Sequence, residues 1–285
     1  MQENRKATTD AAKPQKKAAV KYNRSVFQRV RPSTVHTWHW SEESFEESAQ
    51  WLRDHSTEVR HGMYLSDTPG KEVWLVSIPP KIGGGKVVLT SYVTPKSFWD
   101  TFALSEAWSE VRNSMVMKHL GIPTSKPLAC GETRFCGRVT KSYVVSEYVP
   151  GSLSGKLLMP GGFLREEKGL RLAFSRKALE MLARAHRCDF YHGDFRPARI
   201  LLSDKSTEKD MHLTLIDISK ADFRPMFVSR MFLVATDLLS FFVDMRLTVK
   251  EIKELCESYL QCNPHSGFTV DSLWERLVKM GEQMS

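Results

Sequence analysis

The sequence predicts an α+β protein of two lobes, with a β-rich N-lobe and a mainly helical C-lobe. Strand-like segments lie mainly before residue 150, helical patterns lie mainly after it, and Pro150-Gly151-Ser152 breaks the chain between them. The chain has 285 residues, of which 41% are hydrophobic and 26% charged, which is typical of a globular protein. We therefore predict an N-lobe over residues 32–150 and a C-lobe over residues 151–285.

The net charge of +8 is concentrated at the start of the chain. Residues 1–31 hold nine Lys or Arg and two acidic residues, so this segment carries +7 and the rest of the chain +1. The segment has little apolar content before Val20, which predicts a disordered basic tail. Either it is a solvated extension, or it contacts anionic lipid at the inner face of a membrane. Because the remainder is nearly neutral, the charge pattern argues against nucleic acid as a partner.

The pattern of the N-lobe predicts helix, β-hairpin, helix and strand, in that order. Ser44 and Glu47 have the spacing of a capping box, and Gly83-Gly84-Gly85 lies where a hairpin turn is expected. Gly121 and Pro123 end the second helix. The predicted elements are a helix from 44 to 55, strands at 72–78 and 86–93, a helix from 98 to 120 and a strand at 138–149.

The C-lobe pattern predicts one long helix, two short strands and a helical remainder. The most apolar window, 227–245, contains Arg230, Asp237 and Asp244, so it predicts a buried helix and not a membrane span. Five cysteines without zinc-site spacing favour reduced thiols in a cytoplasmic protein. The predicted elements are a helix from 165 to 187, a loop at 191–198, strands at 200–202 and 212–218, and helices from 227 onward.

Two aspartates, each next to a short apolar strand, carry the chemical signal. Asp194 lies in HGDFRPARILL and Asp217 ends LTLID, so a β-hairpin would turn both carboxylates toward one cleft. One carboxylate can orient and deprotonate an attacking hydroxyl, and the other can hold Mg²⁺ on the phosphates of ATP. Phosphoryl transfer depends mainly on such positioning and charge neutralisation.

These segments resemble the catalytic and metal-binding segments of protein-kinase-like phosphotransferases. Residues 105–132, SEAWSEVRNSMVMKHLGIPTSKPLACGE, are similar to a helix and the following strand of bacterial lipopolysaccharide kinases of the Kdo and heptose kinase type. The resemblance implies a two-lobed protein-kinase-like fold that phosphorylates a sugar hydroxyl with ATP and Mg²⁺. It also implies a lipid-linked sugar substrate and a cytoplasmic location, peripheral at the inner membrane face.

The resemblance also assigns roles to individual residues. Asp194 would be the catalytic base and Asp217 the Mg²⁺ ligand, while His192 is a further catalytic candidate that is more often structural in such loops. Asp237 would anchor the backbone of the catalytic loop. The candidates for nucleotide binding are Glu110, which would pair with a strand lysine, and the hinge residues Glu147, Tyr148 and Val149.

Two positions depart from the family pattern. Arg199 stands where an Asn metal ligand is expected, and because Arg only donates hydrogen bonds, it would neutralise phosphate directly. Thr90 stands where a phosphate-binding Lys is expected, and Lys86 is the candidate on the same strand face, although four residues span ~13 Å. These departures leave two alternatives open: a pseudokinase that binds nucleotide or a protein partner, and another small-molecule kinase.

Only about ten residues separate Asp217 from the next helix, which favours a small hydroxyl substrate over a peptide.

Overall fold

The computed structural model describes residues 35–55, 62–68, 70–93, 104–225 and 227–284. Within these ranges the N-terminal region is built around a β-sheet and the C-terminal region is mainly helical, which confirms the predicted α+β class. The predicted basic tail, 1–31, lies outside the described residues.

A six-stranded antiparallel sheet forms the N-terminal region, in the order β1-β5-β6-β4-β3-β2. The sequence patterns did not predict β1 and β2, whereas β5 corresponds to the strand that the family resemblance implied. The strands are β1 (Val35–Ser41), β2 (Met63–Thr68), β3 (Lys71–Ser77), β4 (Lys86–Val93), β5 (Pro127–Phe135) and β6 (Arg138–Glu147).

The β3–β4 hairpin sets the position of two lysines that matter for the site. Lys71 lies opposite Tyr92 and Ser77 lies opposite Lys86, so the lysines occupy opposite ends of the hairpin. The predicted turn at residues 83–85 is confirmed, since all three glycines have positive φ angles of 109°, 65° and 98°.

Two helices flank the sheet, α1 (Glu46–Asp54) and α2 (Glu106–His119). The predicted capping box at the start of α1 is wrong, because a 3₁₀ turn precedes the helix and its N-cap makes no side-chain hydrogen bond. Helix α2 begins after Ser105, whose side chain accepts a hydrogen bond from the Trp108 N–H. The first part of the helix predicted from residue 98 lies outside the described residues.

The C-terminal region surrounds one large apolar core, whose largest fully buried side chains include Phe174, Phe195, Phe241 and Tyr259. Among the helices that the structure describes, none is long and apolar enough to cross a membrane. The helices are α3 (Ser154–Leu157), α4 (Phe163–Glu166), α5 (Lys168–Arg187), α6 (Arg230–Met245), α7 (Val249–Cys262) and α8 (Val270–Met284). The short strands are β7 (Ser152–Leu153), β8 (Phe190–Tyr191), β9 (Ile200–Leu202), β10 (Leu213–Leu215) and β11 (Asp222–Phe223).

A short connection leads from β6 to β7 and joins the two regions. Gly151 adopts φ 150°, and a Cβ at this position would lie 2.6 Å from the Leu202 carbonyl oxygen, so only glycine fits against β9. The large sheet ends at Glu147, near the predicted break. The division of the chain into lobes at residue 150 remains a prediction.

Candidate active site

The β9–β10 hairpin brings the two aspartates of the sequence motif together. Ile200 pairs with Leu215 across the hairpin, Asp194 precedes β9 and Asp217 follows β10. The Ile216 N–H donates to the Arg199 carbonyl at 2.9 Å, which extends the pairing toward the aspartates. Asp217 has a left-handed backbone with φ 55°, a conformation that Asp tolerates better than most residues.

Asp194 is nearly buried and is surrounded by cations. Its Oδ1 lies 2.8 Å from Arg196 Nε, and its Oδ2 lies 3.3 Å from Lys220 Nζ and 3.4 Å from Arg199 Nη2. Burial alone would raise the pKa of this carboxyl, but the charges of Lys220 and Arg196 outweigh it and hold the pKa below its ordinary value. Asp194 is therefore a carboxylate at neutral pH.

Asp217 is held by one cation from each region of the molecule. Lys71 Nζ, from the large sheet, lies 2.7 Å from its Oδ1, and Arg199 Nη1 contacts its Oδ2. The Lys71 and Asp217 side chains are only 16% and 13% exposed. Burial opposes ionisation here too, but Lys71 and Arg199 together lower the pKa of Asp217. The ion pair with Lys71 thus links the sheet to the aspartate hairpin.

The position of Lys71 corrects the expectation for Lys86. Lys86 Nζ lies 5.9 Å from the centroid of the Tyr148 ring, at the other end of the β3–β4 hairpin. Thr90 is buried on β4 opposite Val73, and Lys71 lies two residues before Val73 on the same face of the neighbouring strand. The cation missing at Thr90 is therefore supplied by β3, from the residue that follows the turn at Gly70.

Tyr92 connects the helix carboxylate to this lysine. The Tyr92 hydroxyl donates to Glu110 Oε2, and Lys71 Nζ lies 5.4 Å from the centroid of the Tyr92 ring. Burial raises the pKa of Glu110, although Lys71 and the Tyr92 hydrogen bond oppose the change. Burial also raises the pKa of Tyr92, so the phenol keeps its proton and remains a donor. In place of the expected contact between Glu110 and a lysine, α2 reaches the site through Tyr92.

Asp237 anchors the loop that precedes Asp194, as the resemblance implied. Its carboxylate is 1% exposed and accepts hydrogen bonds from the backbone N–H groups of His192 and Gly193, both at 2.8 Å. The same carboxylate lies 3.1 Å from His186 Nε2, and His186 Nδ1 lies 2.7 Å from the Tyr259 hydroxyl. A buried polar network thus fixes the backbone just before Asp194.

His192 does not suit the catalytic role that was considered for it. Its ring is 1% exposed and packs edge-on against Phe195, with the centroids 5.4 Å apart. Burial lowers the pKa of the imidazole, and neither ring nitrogen has a hydrogen-bond partner among the described residues. A side chain so enclosed cannot touch a substrate, so we correct its role to a structural one.

Asn113 is a site residue that the sequence analysis missed. Its fully buried amide donates to the carbonyls of Ile218, at 2.8 Å, and Ala221, which ties α2 to the segment that follows Asp217. Asn113 lies three residues after Glu110, so both side chains project from one side of α2. The sequence signal for such a residue is an Asn on the buried face of a helix, because helices disfavour Asn unless its amide has hydrogen-bond partners.

The predicted hinge lies between the two regions. Glu147 ends β6, and its N–H donates to the Lys126 carbonyl at 2.8 Å. Tyr148 and Val149 follow it and are half-buried. This placement suits a backbone that borders a nucleotide pocket, and the contact of these three residues with adenine remains a prediction.

The antiparallel sheet, the helical region and the hairpin that joins the two aspartates have the arrangement that the resemblance to kinases implied. A family model of the lipopolysaccharide kinase (Kdo/WaaP) family matches residues 94–259, which is more than half of the chain. The chain belongs to this family. The matched range includes Glu110, Asp194 and Asp217, whereas Lys71 lies before it.

Two solved structures are similar to this chain, and the first, with a TM-score above 0.5, has the same fold. One is described as WaaP in complex with acyl carrier protein; it has 17% sequence identity and a TM-score of 0.60, and the match covers 86% of this chain and 97% of that chain. A second is the PknI kinase domain of Mycobacterium tuberculosis, with 19% identity, a TM-score of 0.43 and coverage of 78% and 94%. No match was found among curated proteins.

Proposed function

We propose that the protein transfers the γ-phosphoryl group of ATP to a hydroxyl of a lipopolysaccharide core sugar. The single observation that carries the proposal is the convergence of Lys71, Asp194 and Asp217 where the sheet meets the aspartate hairpin. Two carboxylates and several cations in one cleft are the elements that phosphoryl transfer requires. Family membership supports the lipopolysaccharide acceptor.

In the proposed reaction each side chain has a distinct role. Asp194 orients the acceptor hydroxyl and receives its proton as the bond to phosphorus forms and the bond to the departing ADP breaks. Lys71 and Arg199 neutralise the phosphates, while Arg196 and Lys220 hold Asp194 in place. The lowered pKa of Asp194 keeps it ionised, so that it can orient the hydroxyl and accept the proton as the hydroxyl attacks.

The fit of the site to Mg²⁺ is incomplete, although the family commonly uses it. Both oxygens of Asp217 contact protein cations, and position 199 carries a donor in place of a metal ligand. Among the described residues, no group of three or more His, Cys, Asp or Glu side chains is placed to hold a metal ion. We therefore assign no step to a metal ion.

The experiment that tests the proposal measures ADP release with ATP and purified lipopolysaccharide core as acceptor. Wild type is expected to release ADP only when the acceptor is present, and Asp194→Asn is expected to lower the rate at least ~100-fold, the lower range for a general base. Asp210→Asn is the matched control, because the Asp210 carboxylate is exposed and pairs with His212 at the surface, away from the two aspartates of the site. Equal rates for wild type and Asp194→Asn would overturn the proposal.

A pseudokinase was the main alternative, since Thr90 and Arg199 replace an expected Lys and Asn. Lys71 supplies a cation beside Asp217, so the absence of a lysine at position 90 no longer favours a pseudokinase. Nucleotide binding without transfer to any acceptor, measured with the same wild-type protein, would favour the pseudokinase.

We also propose that the basic segment 1–31 holds the protein near anionic lipid, where a lipid-linked sugar acceptor would be found. Each Lys or Arg near such a surface contributes ~1 kcal/mol at low salt. A chain that lacks residues 1–31 should sediment less with vesicles containing phosphatidylglycerol and should retain its thermal unfolding temperature. Equal sedimentation of the two chains would contradict this role.

A further inference from the structure

Arg199 bridges the two aspartates of the cleft. It ends the 3₁₀ turn Pro197–Arg199, and its backbone carbonyl accepts from the Ile216 N–H, so the residue is fixed between the catalytic loop and β10. One guanidinium nitrogen contacts Asp217 Oδ2 and the other lies 3.4 Å from Asp194 Oδ2. The side chain is 28% exposed, so part of it remains accessible to a ligand.

Every carboxylate oxygen of the pair contacts a protein cation. At Asp217, Lys71 contacts Oδ1 and Arg199 contacts Oδ2. At Asp194, Arg196 contacts Oδ1, whereas Arg199 and Lys220 both contact Oδ2. Mg²⁺ requires near-octahedral oxygen ligands, and Arg supplies none. A metal would therefore have to displace Lys71 or Arg199 from Asp217 before it could bind there.

The charges in the cleft suit phosphate without a metal. Four cations, Lys71, Arg196, Arg199 and Lys220, face the two aspartates, which leaves two positive charges to attract an anion. With Asn at position 199, three cations would face the two aspartates and one positive charge would remain, so the site would attract phosphate less strongly unless a divalent cation added charge. The planar guanidinium is also a suitable bidentate donor to phosphate oxygens.

We infer that Arg199 is a built-in cation that replaces a divalent metal beside Asp217, so that the nucleotide triphosphate binds with little dependence on Mg²⁺. The inference rests on the proposed function, because it concerns the same nucleotide site. In this arrangement Arg199 contacts the phosphates of the nucleotide. The acceptor binds on the side of Asp194 that faces Arg196 and Lys220.

The test measures the Kd of a non-hydrolysable ATP analogue by calorimetry, once in excess EDTA and once in excess MgCl₂. For wild type the two Kd values are expected to agree within about threefold. For Arg199→Asn the Kd in EDTA is expected to rise about tenfold or more, the loss of one charge-assisted contact, and Mg²⁺ is expected to restore it. Arg187→Asn is the matched control, because Arg187 is exposed in the last turn of α5, outside the cleft, and the ratio of the two Kd values of this variant should match that of wild type.

The outcomes separate this inference from the proposed function. Binding by wild type that weakens more than tenfold in EDTA would overturn the inference and leave the proposed function in place, and this result does not depend on whether a variant folds. Absence of binding in both buffers would overturn the proposed function and the inference with it. Mn²⁺ binding, followed by water-proton relaxation in the presence of the analogue, gives a second readout: Arg199→Asn should bind Mn²⁺ more tightly than wild type, and equal binding would overturn the inference.

Discussion

Replacing Lys71 and Lys86 one at a time shows which lysine of the β3–β4 hairpin binds phosphate. Lys71→Met keeps the length of the side chain and removes the ammonium that lies 2.7 Å from Asp217 Oδ1. The variant should stay folded, because Asp217 keeps its contact with Arg199. Lys86→Met makes the same chemical change at the other end of the same hairpin, beside the Tyr148 ring.

The size of the effect follows from the burial of the Lys71 site. Both members of the ion pair are largely shielded, at 16% and 13% exposure, so a phosphate bound in this cleft would meet a poorly solvated ammonium. A hydrogen bond to a charged group contributes about 1.5–3 kcal/mol. Since 1.4 kcal/mol is a factor of ten, the Kd for ATP should rise about 10–150-fold in Lys71→Met. Lys86→Met should change it less than about threefold, because its contact is a partly solvated cation–π pair.

The assay is calorimetric titration of each variant with a non-hydrolysable ATP analogue, with thermal unfolding of the unliganded variants as the control for folding. Lys71→Met is expected to lose most of the affinity and Lys86→Met to keep it. If Lys86→Met weakened binding as much as Lys71→Met, the assignment of the phosphate-binding lysine to β3 would be refuted.

Three further substitutions test the supporting contacts. Tyr92→Phe keeps the ring beside Lys71 and leaves Glu110 without its donor, so urea unfolding should show a loss of about 1–3 kcal/mol; an unchanged midpoint would contradict the Tyr92 link. Asp237→Asn replaces one acceptor oxygen of the loop anchor by a donor and should cost about 1–3 kcal/mol and slow ADP release, whereas normal turnover would speak against the anchor. Glu251→Gln keeps a residue that can complete the capping box of α7 but removes the charge that pairs with Lys168 at 2.8 Å, so it should cost about 1 kcal/mol at neutral pH. The hydrogen bonds from Lys168 and Thr248 lower the folded-state pKa of Glu251 from 4.5 to about 2, so this carboxylate stabilises the fold above pH 4.5 and loses its effect as the pH falls toward 2. The difference between wild type and Glu251→Gln should therefore shrink over that range, and a constant difference would contradict the assignment.

The aspartate hairpin shows what local patterns could predict. Asp194 and Asp217 each adjoin a short apolar strand, and the placement of both carboxylates at one end of a hairpin follows from strand pairing alone. Asp237 was also predictable, because a lone carboxylate in a very apolar helix needs buried donors, and the family resemblance named the loop that supplies them. These residues are fixed by neighbours close in sequence or by a motif of recognisable spacing.

Lys71 shows what local patterns could not predict. Its role depends on which residue of β3 lies opposite Tyr92, and that register is set by the β3–β4 hairpin as a whole. The comparison with family motifs pointed to β4, where Thr90 stands, and therefore to Lys86 on the same strand. Asn113 was missed for a similar reason, since its partners Ile218 and Ala221 are more than 100 residues away in the chain.

An assay with radiolabelled ATP shows whether the protein transfers a phosphoryl group to an acceptor hydroxyl. Wild type incubated with [γ-³²P]ATP and lipopolysaccharide core should place label on the sugar, whereas Asp194→Asn, with unchanged unfolding temperature, should place at least ~100-fold less. Equal labelling of the acceptor by wild type and Asp194→Asn would contradict phosphoryl transfer by this site. Absence of label with wild type, although wild type and Asp210→Asn both bind ATP, would contradict it as well.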